Sequence, residues 1–302
     1  MIECQKDTHY NGYLVIINNM GKPKLEIPKD VLEEYLEKGY SYAKIGSLYG
    51  VTKEPVIRIV KEYGISYNFY DANAKFDIHI FDSIDTEEKA YWLGFLFADG
   101  CVSSTQTFLQ LDLATKDKNH IIKFKKFLKD TRNDSVVIDK VVKFEGKEYT
   151  SSRYRVHNRY FHDRLIALGC VPKKSLILKF PDKSIFSKEE LVYDFIRGYL
   201  DGDGCITYHH TENNLRITIL GTVDFLNGVR KYLSEFNPVH KTLDNVFVIY
   251  CHSKAAEQVG LKIYENATIF LERKLEKFIR FSKIYKKISL YESNDDNNII
   301  EL

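Results

Sequence analysis

The sequence predicts an α+β fold: a small all-α domain near the N-terminus, then two copies of an α-β-β-α-β-β-α unit. Three observations carry this. Tyr-Trp-Leu-Gly-Phe-Leu-Phe-Ala-Asp-Gly-Cys-Val (91–102) matches Phe-Ile-Arg-Gly-Tyr-Leu-Asp-Gly-Asp-Gly-Cys-Ile (195–206) at an offset of 104 positions, the mark of an internal duplication. After each copy the same order recurs: an alternating apolar-polar run, a capped helical stretch, a hairpin and a closing helix. Residues 29–63 carry short apolar stripes at helical spacing, interrupted by Gly39 and Gly50.

Composition narrows the class. The 302 residues are 44% hydrophobic and 28% charged, enough apolar material for a core and too much for a wholly disordered chain. Forty-four basic residues face 42 acidic ones, a net charge of +2, so a nucleic-acid partner has to be argued from local patches. The five cysteines are scattered singly and odd in number, which fits neither a zinc site nor a disulfide framework; they are expected to be reduced, mostly buried small hydrophobes. No apolar run approaches the roughly 18 residues of a membrane span. The start, Met-Ile-Glu-Cys-Gln-Lys, lacks a signal-peptide pattern. The expectation is an intracellular protein, cytoplasmic or organellar, with no membrane association.

Residues 1–26 show no clear period and are expected to be an N-terminal arm. In 27–66, Val31, Leu32, Tyr35 and Leu36 share one helical face, and Ser41 can cap a second helix carrying Ala43, Ile45 and Leu48. Thr52 can cap a third, with Val56, Ile59, Val60 and Tyr63 as its buried stripe. A short helix, a glycine turn and a capped helix make a helix-turn-helix, similar to the resolvase or sigma type. Lys53, Arg58 and Lys61 would lie on its outer side, suited to phosphates and base edges; a small bundle with a solvated charged face is the simpler alternative. Residues 67–84 are expected to be a linker.

The first repeat unit is expected over 85–182 and the second over 183–290, with 291–302 a flexible tail. Asp85 or Thr86 can cap the first motif helix, and Ser187-x-x-Glu190 forms a capping box for the second. Leu109, Leu111 and Leu113 alternate with Gln110 and Asp112, as Leu215, Ile217 and Ile219 do with Arg216 and Thr218. Helices capped by Asp117 and Thr222 follow. The hairpins are expected at 136–144 with 149–157, around Glu145-Gly146-Lys147, and at 241–243 with 246–250, around Asp244-Asn245. Helices at 158–168 and from 253 close the units.

Within the motifs, Gly94 and Gly198 each remove a side chain where another backbone could approach. If the two motif helices pack together, their C-terminal ends bring Asp99 and Asp203 close, adding two carboxylates to two negative dipole ends. Such a cluster calls for cations, and oxygen-only ligation favours Mg²⁺ or a similarly hard ion. A surface turn is the simpler alternative, but the duplication keeps glycine, acid and helix length in register. A calcium-binding EF-hand loop from Asp201 is excluded, because Cys205 and Ile206 would fill a ligand and the glycine position.

Trp-Leu-Gly-Phe-Leu-Phe-Ala-Asp-Gly (92–100) and Ile-Arg-Gly-Tyr-Leu-Asp-Gly-Asp-Gly (196–204) resemble the two motif copies of single-chain LAGLIDADG homing endonucleases. The resemblance covers roughly residues 85–290. It implies pseudo-symmetric αββαββα halves joined by paired motif helices, antiparallel sheets forming a saddle over DNA, and a monomer. It also implies that Asp99 and Asp203 bind metal with help from the carbonyls of Ala98 and Gly202. Phe97 departs from the pattern, replacing the first acid of the first motif, and Asp201 is given no catalytic role. The family's lysine near the metals falls on Lys174, with Lys173 second, in Gly-Cys-Val-Pro-Lys-Lys-Ser (169–175), and on Lys274 in Leu-Glu-Arg-Lys-Leu-Glu-Lys (271–277).

The implied activity is site-specific hydrolysis of double-stranded DNA with two or three Mg²⁺ or Mn²⁺ ions. Each half would cut one strand, leaving a staggered break with 3′ overhangs, and the gene would belong to a mobile element. Lys174 and Lys274 would order water or neutralise the transition state. Gln106, Gln110, Arg153, Arg155, Arg216, Thr218 and Lys241 are the candidate base readers on the polar strand faces. Because the halves differ, the target should be asymmetric, about two duplex turns long, and extended by the helix-turn-helix. The competing class is a DNA-binding regulator or an intron-splicing maturase on the same scaffold, neither of which requires the acid pair for binding. An intein is not expected, since the chain lacks a nucleophilic first residue and a terminal His-Asn. His157-Asn158 alone, without supporting histidine spacing, does not make an HNH nuclease.

Overall fold

The computed structural model describes residues 8–10, 13–15, 25–65, 73–144, 147–209, 214–242 and 246–283. It contains two compact units, residues 1–74 and 75–302. Among the described residues no helix is long and apolar enough to cross a membrane.

In the first unit, β1 (Thr8–Tyr10) pairs antiparallel with β2 (Tyr13–Val15), so the expected arm contains paired strands. Three helices follow: α1 (Lys29–Glu37), α2 (Tyr42–Leu48) and α3 (Lys53–Glu62). Their apolar stripes close one core of Leu32, Leu36, Ile45, Val56, Ile59 and Val60, with Leu25 and Ile27 of the preceding segment also buried. Ser41 caps α2 as expected, accepting from Lys44 N at 3.1 Å. Thr52 occupies the cap position of α3 without a capping hydrogen bond; its side chain bonds Glu54 instead. Tyr63, expected in the buried stripe, is 37% exposed, because its ring reaches outward so that the hydroxyl can donate to Ile27 O at 2.9 Å. Between α2 and α3 the chain folds back on Gly46, where a Cβ would meet Thr52 O at 2.7 Å.

The second unit starts earlier than expected. Residues 75–84, read as part of a linker, are packed: Phe81 and Ile84 are buried, Asp77 N donates to Leu128 O at 2.8 Å and Thr131 N to Lys75 O at 2.8 Å. The apolar residues Phe76, Ile78, Ile80 and Phe81 explain why this stretch joins the core. Next come α4 (Glu87–Ala98), β3 (Gly100–Val102), β4 (Phe108–Ala114), α5 (Lys118–Phe127), β5 (Ile138–Phe144), β6 (Lys147–His157) and α6 (Arg159–Ala167). The order then repeats as α7 (Leu191–Asp203), β7 (Gly204–His209), β8 (Asn214–Gly221), α8 (Val223–Tyr232), β9 (His240–Lys241), β10 (Phe247–His252) and α9 (Ser253–Tyr264), with α10 (Glu272–Phe281) added. Each half builds a four-stranded antiparallel sheet, in the orders β3-β4-β6-β5 and β7-β8-β10-β9.

The strand faces follow the alternation. Leu109, Leu111, Leu215, Ile217 and Ile219 are buried, and the polar residues that alternate with them lie on the other face of each sheet. Thr86 caps α4 at 3.3 Å, and Thr222 caps α8 at 3.1 Å. Two expected caps of the second unit fail, as that of Thr52 does in the first. The Ser187-x-x-Glu190 box does not start α7, which begins at Leu191 without a side-chain cap; short-range bonds from Leu191, Val192 and Tyr193 back to 188–190 form a turn there instead. Asp117 makes no capping bond, because its buried carboxylate takes Arg273 Nε at 2.9 Å. Cys170 and Cys251 are buried as expected, whereas Cys101 and Cys205 are exposed. The 145–146 and 243–245 turns, Cys4 and the 291–302 tail lie outside the described residues.

Candidate nucleic-acid interface and metal site

The motif helix α4 is buried on all sides from Ala90 to Ala98, the pattern of a helix with neighbours all round. Its main neighbour is α7. A Cβ on Gly94 would sit 1.9 Å from Phe195 O, and one on Gly198 would sit 1.9 Å from Tyr91 O. The glycines are thus reciprocal and set the closeness of the two backbones. At the C-terminal ends a Cβ on Gly202 would meet Ala98 Cβ at 2.3 Å and Asp99 Oδ2 at 3.1 Å. The Asp99 carboxylate therefore lies against the backbone just before Asp203.

The two acids are electrostatically uncomfortable. Burial, then repulsion from Asp203, pushes Asp99 up to about 6, against the pull of Lys274 and Lys174. Burial also raises Asp203, opposed by Lys174, Lys274 and a hydrogen bond from Tyr199. For Asp99 this amounts to about 3 kcal/mol held against the ionised form at neutral pH, which a divalent cation would offset. Among the described residues no group of three or more His, Cys, Asp and Glu converges. The donor set at the helix ends is carboxylate and carbonyl oxygen, and it fits a hard ion better than zinc.

Both expected lysines reach the same ground, one per half. Lys174 Nζ donates to Leu96 O at 3.1 Å and to Gly100 O. Lys274 Nζ donates to Leu200 O at 2.6 Å, Gly202 O at 2.9 Å and Gly204 O at 2.8 Å. Leu96 and Leu200, like Gly100 and Gly204, are matching positions of the repeat. Each lysine thus adds a charged donor to carbonyls at a helix C-terminus, those of Leu96 and Leu200 also accepting from the backbone N–H of Asp99 and Gly204. Lys173 instead sits exposed at φ 54° before its neighbour. Burial pushes Lys274 down to about 8. The Gly202 carbonyl, an expected metal ligand, already accepts from Lys274 and keeps one lone pair for a cation.

Lys174 and Asp203 line one hollow of about 290 Å³ together with Phe97, Ala98 and Tyr199. Asp201 is placed elsewhere: it is fully buried, accepting from Tyr91 Oη at 2.8 Å, Tyr264 Oη at 2.7 Å and Leu271 N at 2.7 Å.

The other faces of the two sheets carry the expected polar residues. Gln110 pairs across the strands with Arg155 and Asp112 with Arg153. Arg153 Nε donates to both Asp112 oxygens at 2.9 Å, and Arg155 Nε donates to Gln110 Oε1 at 2.9 Å. Arg216 stacks its guanidinium 4.1 Å from the Tyr250 ring centre, and Thr218 stands opposite Tyr250. Gln106 is exposed in the β3–β4 loop, its backbone N held by Ser103 Oγ at 3.0 Å. Lys241 is a correction: it stands opposite Phe247, in register with Gly221, on the same side as buried Ile219 and Ile249. His240 takes its place, stacked 5.7 Å from Tyr250. Lys241 pairs with Phe247 and not, as a two-residue Asp244-Asn245 turn would require, with Val248, and a one-residue slip reverses every side chain. Ile138, opposite Arg153, Lys140 two positions on, and Cys101 and Cys205, opposite Gln110 and Thr218, also share these faces; only strand pairing reveals them. In the first unit Lys53, Arg58 and Lys61 are exposed on α3, with Arg58 3.7 Å from Glu62.

No family model matches the chain. A probable translation initiation factor IF-2 of Methanocaldococcus jannaschii is 27% identical over 219 residues, which is 70% of this chain. The chain spans only 16% of that protein's length. Similar solved structures include the LAGLIDADG meganuclease I-AabMI bound to uncleaved DNA, with a TM-score of 0.42 and 14% identity over 67% of this chain and 92% of that one. The homing endonuclease I-WcaI bound to its DNA recognition sequence gives 0.40 and 12%, over 67% and 83%. Full-length DUF199/WhiA from Thermatoga maritima gives 0.38 and 17%, over 73% and 72%.

Proposed function

We propose that this chain is a divalent-metal-dependent, site-specific DNA endonuclease of the homing-endonuclease kind, acting as a monomer of two pseudo-symmetric halves. The observation that carries the reading is the meeting of Asp99 and Asp203 at the ends of two glycine-packed helices, each end held by its own lysine. A structural turn has no need of two carboxylates brought together at helix ends, one half-buried and one reaching solvent, where desolvation raises both and Asp203 repels Asp99.

Asp99 and Asp203, with the carbonyls of Ala98 and Gly202, would hold Mg²⁺ or Mn²⁺. When bound, the ion supplies an acidified water and charge stabilisation for a phosphodiester under attack. Lys174 and Lys274 keep the helix ends fixed and set positive charge beside the position of the scissile phosphate. The polar sheet faces, with Gln110, Arg153, Arg155, Arg216, Thr218 and His240, would lie along the major groove. Arg153 and Arg155 are held in preset directions by Asp112 and Gln110, which lowers the ordering cost of base contact. One cut per half gives a staggered break with 3′ overhangs in a long asymmetric target, the three-helix unit extending the footprint through Lys53, Arg58 and Lys61.

The test is cleavage of a pooled library of long DNA with Mg²⁺, beside EDTA controls and the Asp99→Asn and Asp203→Asn variants, read by sequencing new ends. Discrete double-strand ends lost in both variants support the reading. Enriched bound DNA with no ends under any divalent ion would replace it with a non-cleaving DNA-binding regulator or a maturase.

A further inference from the structure

The two lysines at the helix ends are held differently, and the difference traces to one position of the repeat. Position 97 is Phe in the first half and position 201 is Asp in the second. Phe97 packs edge-on against Phe195 at 5.0 Å, which shows that this fold accepts an apolar side chain there. A buried carboxylate in its place has a desolvation cost that a merely filling residue would avoid. Asp201 offsets it with three hydrogen bonds, from Tyr91, Tyr264 and the Leu271 backbone. Burial pushes His120 down to about 3, so it is neutral. Its Nε2 can then donate to the Tyr91 oxygen at 2.9 Å, leaving the Tyr91 proton for Asp201.

The Leu271 bond connects this carboxylate to the site. Leu271 is the N-cap of α10, and its carbonyl accepts from Lys274 N at 2.9 Å. Asp201 thus anchors the turn that carries Lys274 and adds negative charge at the positive end of α10. The carbonyls of Leu200 and Gly202, which flank Asp201, accept from Lys274 Nζ. The root of the lysine is therefore tied to the Asp201 carboxylate and its tip to the backbone carbonyls on either side of that residue. Lys274 is 3% exposed, while Lys174, which has no such carboxylate behind it, is only part-buried.

We infer that Asp201 is a positioning residue for Lys274, so that one half of the molecule holds its lysine through a buried carboxylate and the other half does not. The consequence for cleavage rests on the nuclease reading: the two strands respond separately, and loss of Asp201 slows only the strand served by Lys274.

The first arm needs neither metal nor DNA. The whole protein in EDTA is reductively methylated with formaldehyde and borohydride, and each lysine is followed by peptide mass spectrometry. Lys274 should react more slowly than Lys174. Asp201→Asn should raise Lys274 labelling about tenfold, the scale of a lost charge-assisted hydrogen bond, with Lys174 unchanged. Tyr264→Phe, which keeps the ring and removes one bond to Asp201, should move Lys274 the same way by less, and serves alone if Asp201→Asn does not fold. Unchanged Lys274 labelling in the variants that fold overturns the inference.

The second arm uses the DNA site recovered by the library selection, labelled on each strand. Asp201→Asn should slow the same strand as Lys274→Met, and the double variant should be no slower than Lys274→Met alone. Equal slowing of both strands, or multiplied effects in the double variant, overturns the inference. A wild-type protein that shows the labelling difference but cuts nothing overturns the nuclease reading and leaves the positioning of Lys274 standing.

Discussion

Gly198 faces the backbone of Tyr91 so closely that a Cβ would stand 1.9 Å from the Tyr91 carbonyl oxygen. No rotamer change relieves such an overlap, because both atoms belong to helix backbones packed across the middle of the second unit. Gly198→Ala, or Gly94→Ala against Phe195, must push the helices apart and is expected to cost more than about 3 kcal/mol, the upper range for overpacking. Gly50→Ala is the control: it has no neighbour within 4 Å but a φ of +64°, so about 1 kcal/mol of backbone strain is expected. Urea melts of the three variants check this; a cooperative, near wild-type melt for Gly198→Ala would show that the helices can separate.

Asp99 works against the fold when no cation is present. Its folded pKa, about 6, lies above the ordinary value of 3.8, so between these pH values the folded state binds the extra proton and stability falls as pH rises through the window. Asp99→Asn is therefore expected to be more stable than wild type in EDTA at pH 7.5, by about 1–3 kcal/mol, and equal to it near pH 4. Thermal melts at the two pH values read this directly. Cleavage by the variant should be lost.

Cation binding should follow the same group with the opposite sign. Mg²⁺ competes with the proton on Asp99, so apparent affinity should rise about tenfold from pH 5 to pH 7 and then level off. Calorimetric titrations in buffers of different ionisation enthalpy should show proton release at pH 5 and little at pH 8. An affinity independent of pH would mean that Asp99 is not a ligand.

The cysteines divide into two classes. Burial raises Cys170 to about 11 and Cys251 to about 12, so both should resist iodoacetamide at pH 8. Cys101 and Cys205 are exposed on the polar sheet faces, opposite Gln110 and Thr218, and should alkylate readily. In a Cys4→Ser background, bound target DNA should protect these two and leave the rest unchanged. Alkylation undiminished by DNA would place the duplex on another surface.

Arginine substitutions should separate base reading from phosphate attraction. Arg153→Ala leaves Asp112 with the Gln110 amide but without its cation, adding an unneutralised negative charge near DNA. It should weaken binding by about 1–3 kcal/mol and relax the sequence preference at one position. Lys61→Ala should weaken binding evenly and lower the salt dependence by about one unit. Fluorescence anisotropy over a salt series with matched and altered sites distinguishes the two.

The motif duplication, the alternating strands and the three N-terminal stripes were legible because each is a local period, repeated in register over residues near in the chain. Gly94, Gly198, Asp99 and Asp203 could be named for the same reason: a glycine and an acid at fixed spacing on a helix keep their meaning wherever the helix goes. Lys174 and Lys274 came from resemblance to a family, since no local pattern marks a lysine whose carbonyl partners lie 70 or more positions away. What pairing and packing alone decided lies at longer range. The slip that puts His240 beside Tyr250 depends on which residue of β10 each strand residue meets. Asp117 leaves its helix cap because Arg273 arrives from 156 positions away. Asp201 meets Leu271, at the start of the helix that carries Lys274, and two tyrosines from other helices only in the assembled fold. A side chain with two possible partners takes the one that burial makes costlier to leave unpaired, and which one that is depends on the assembled core.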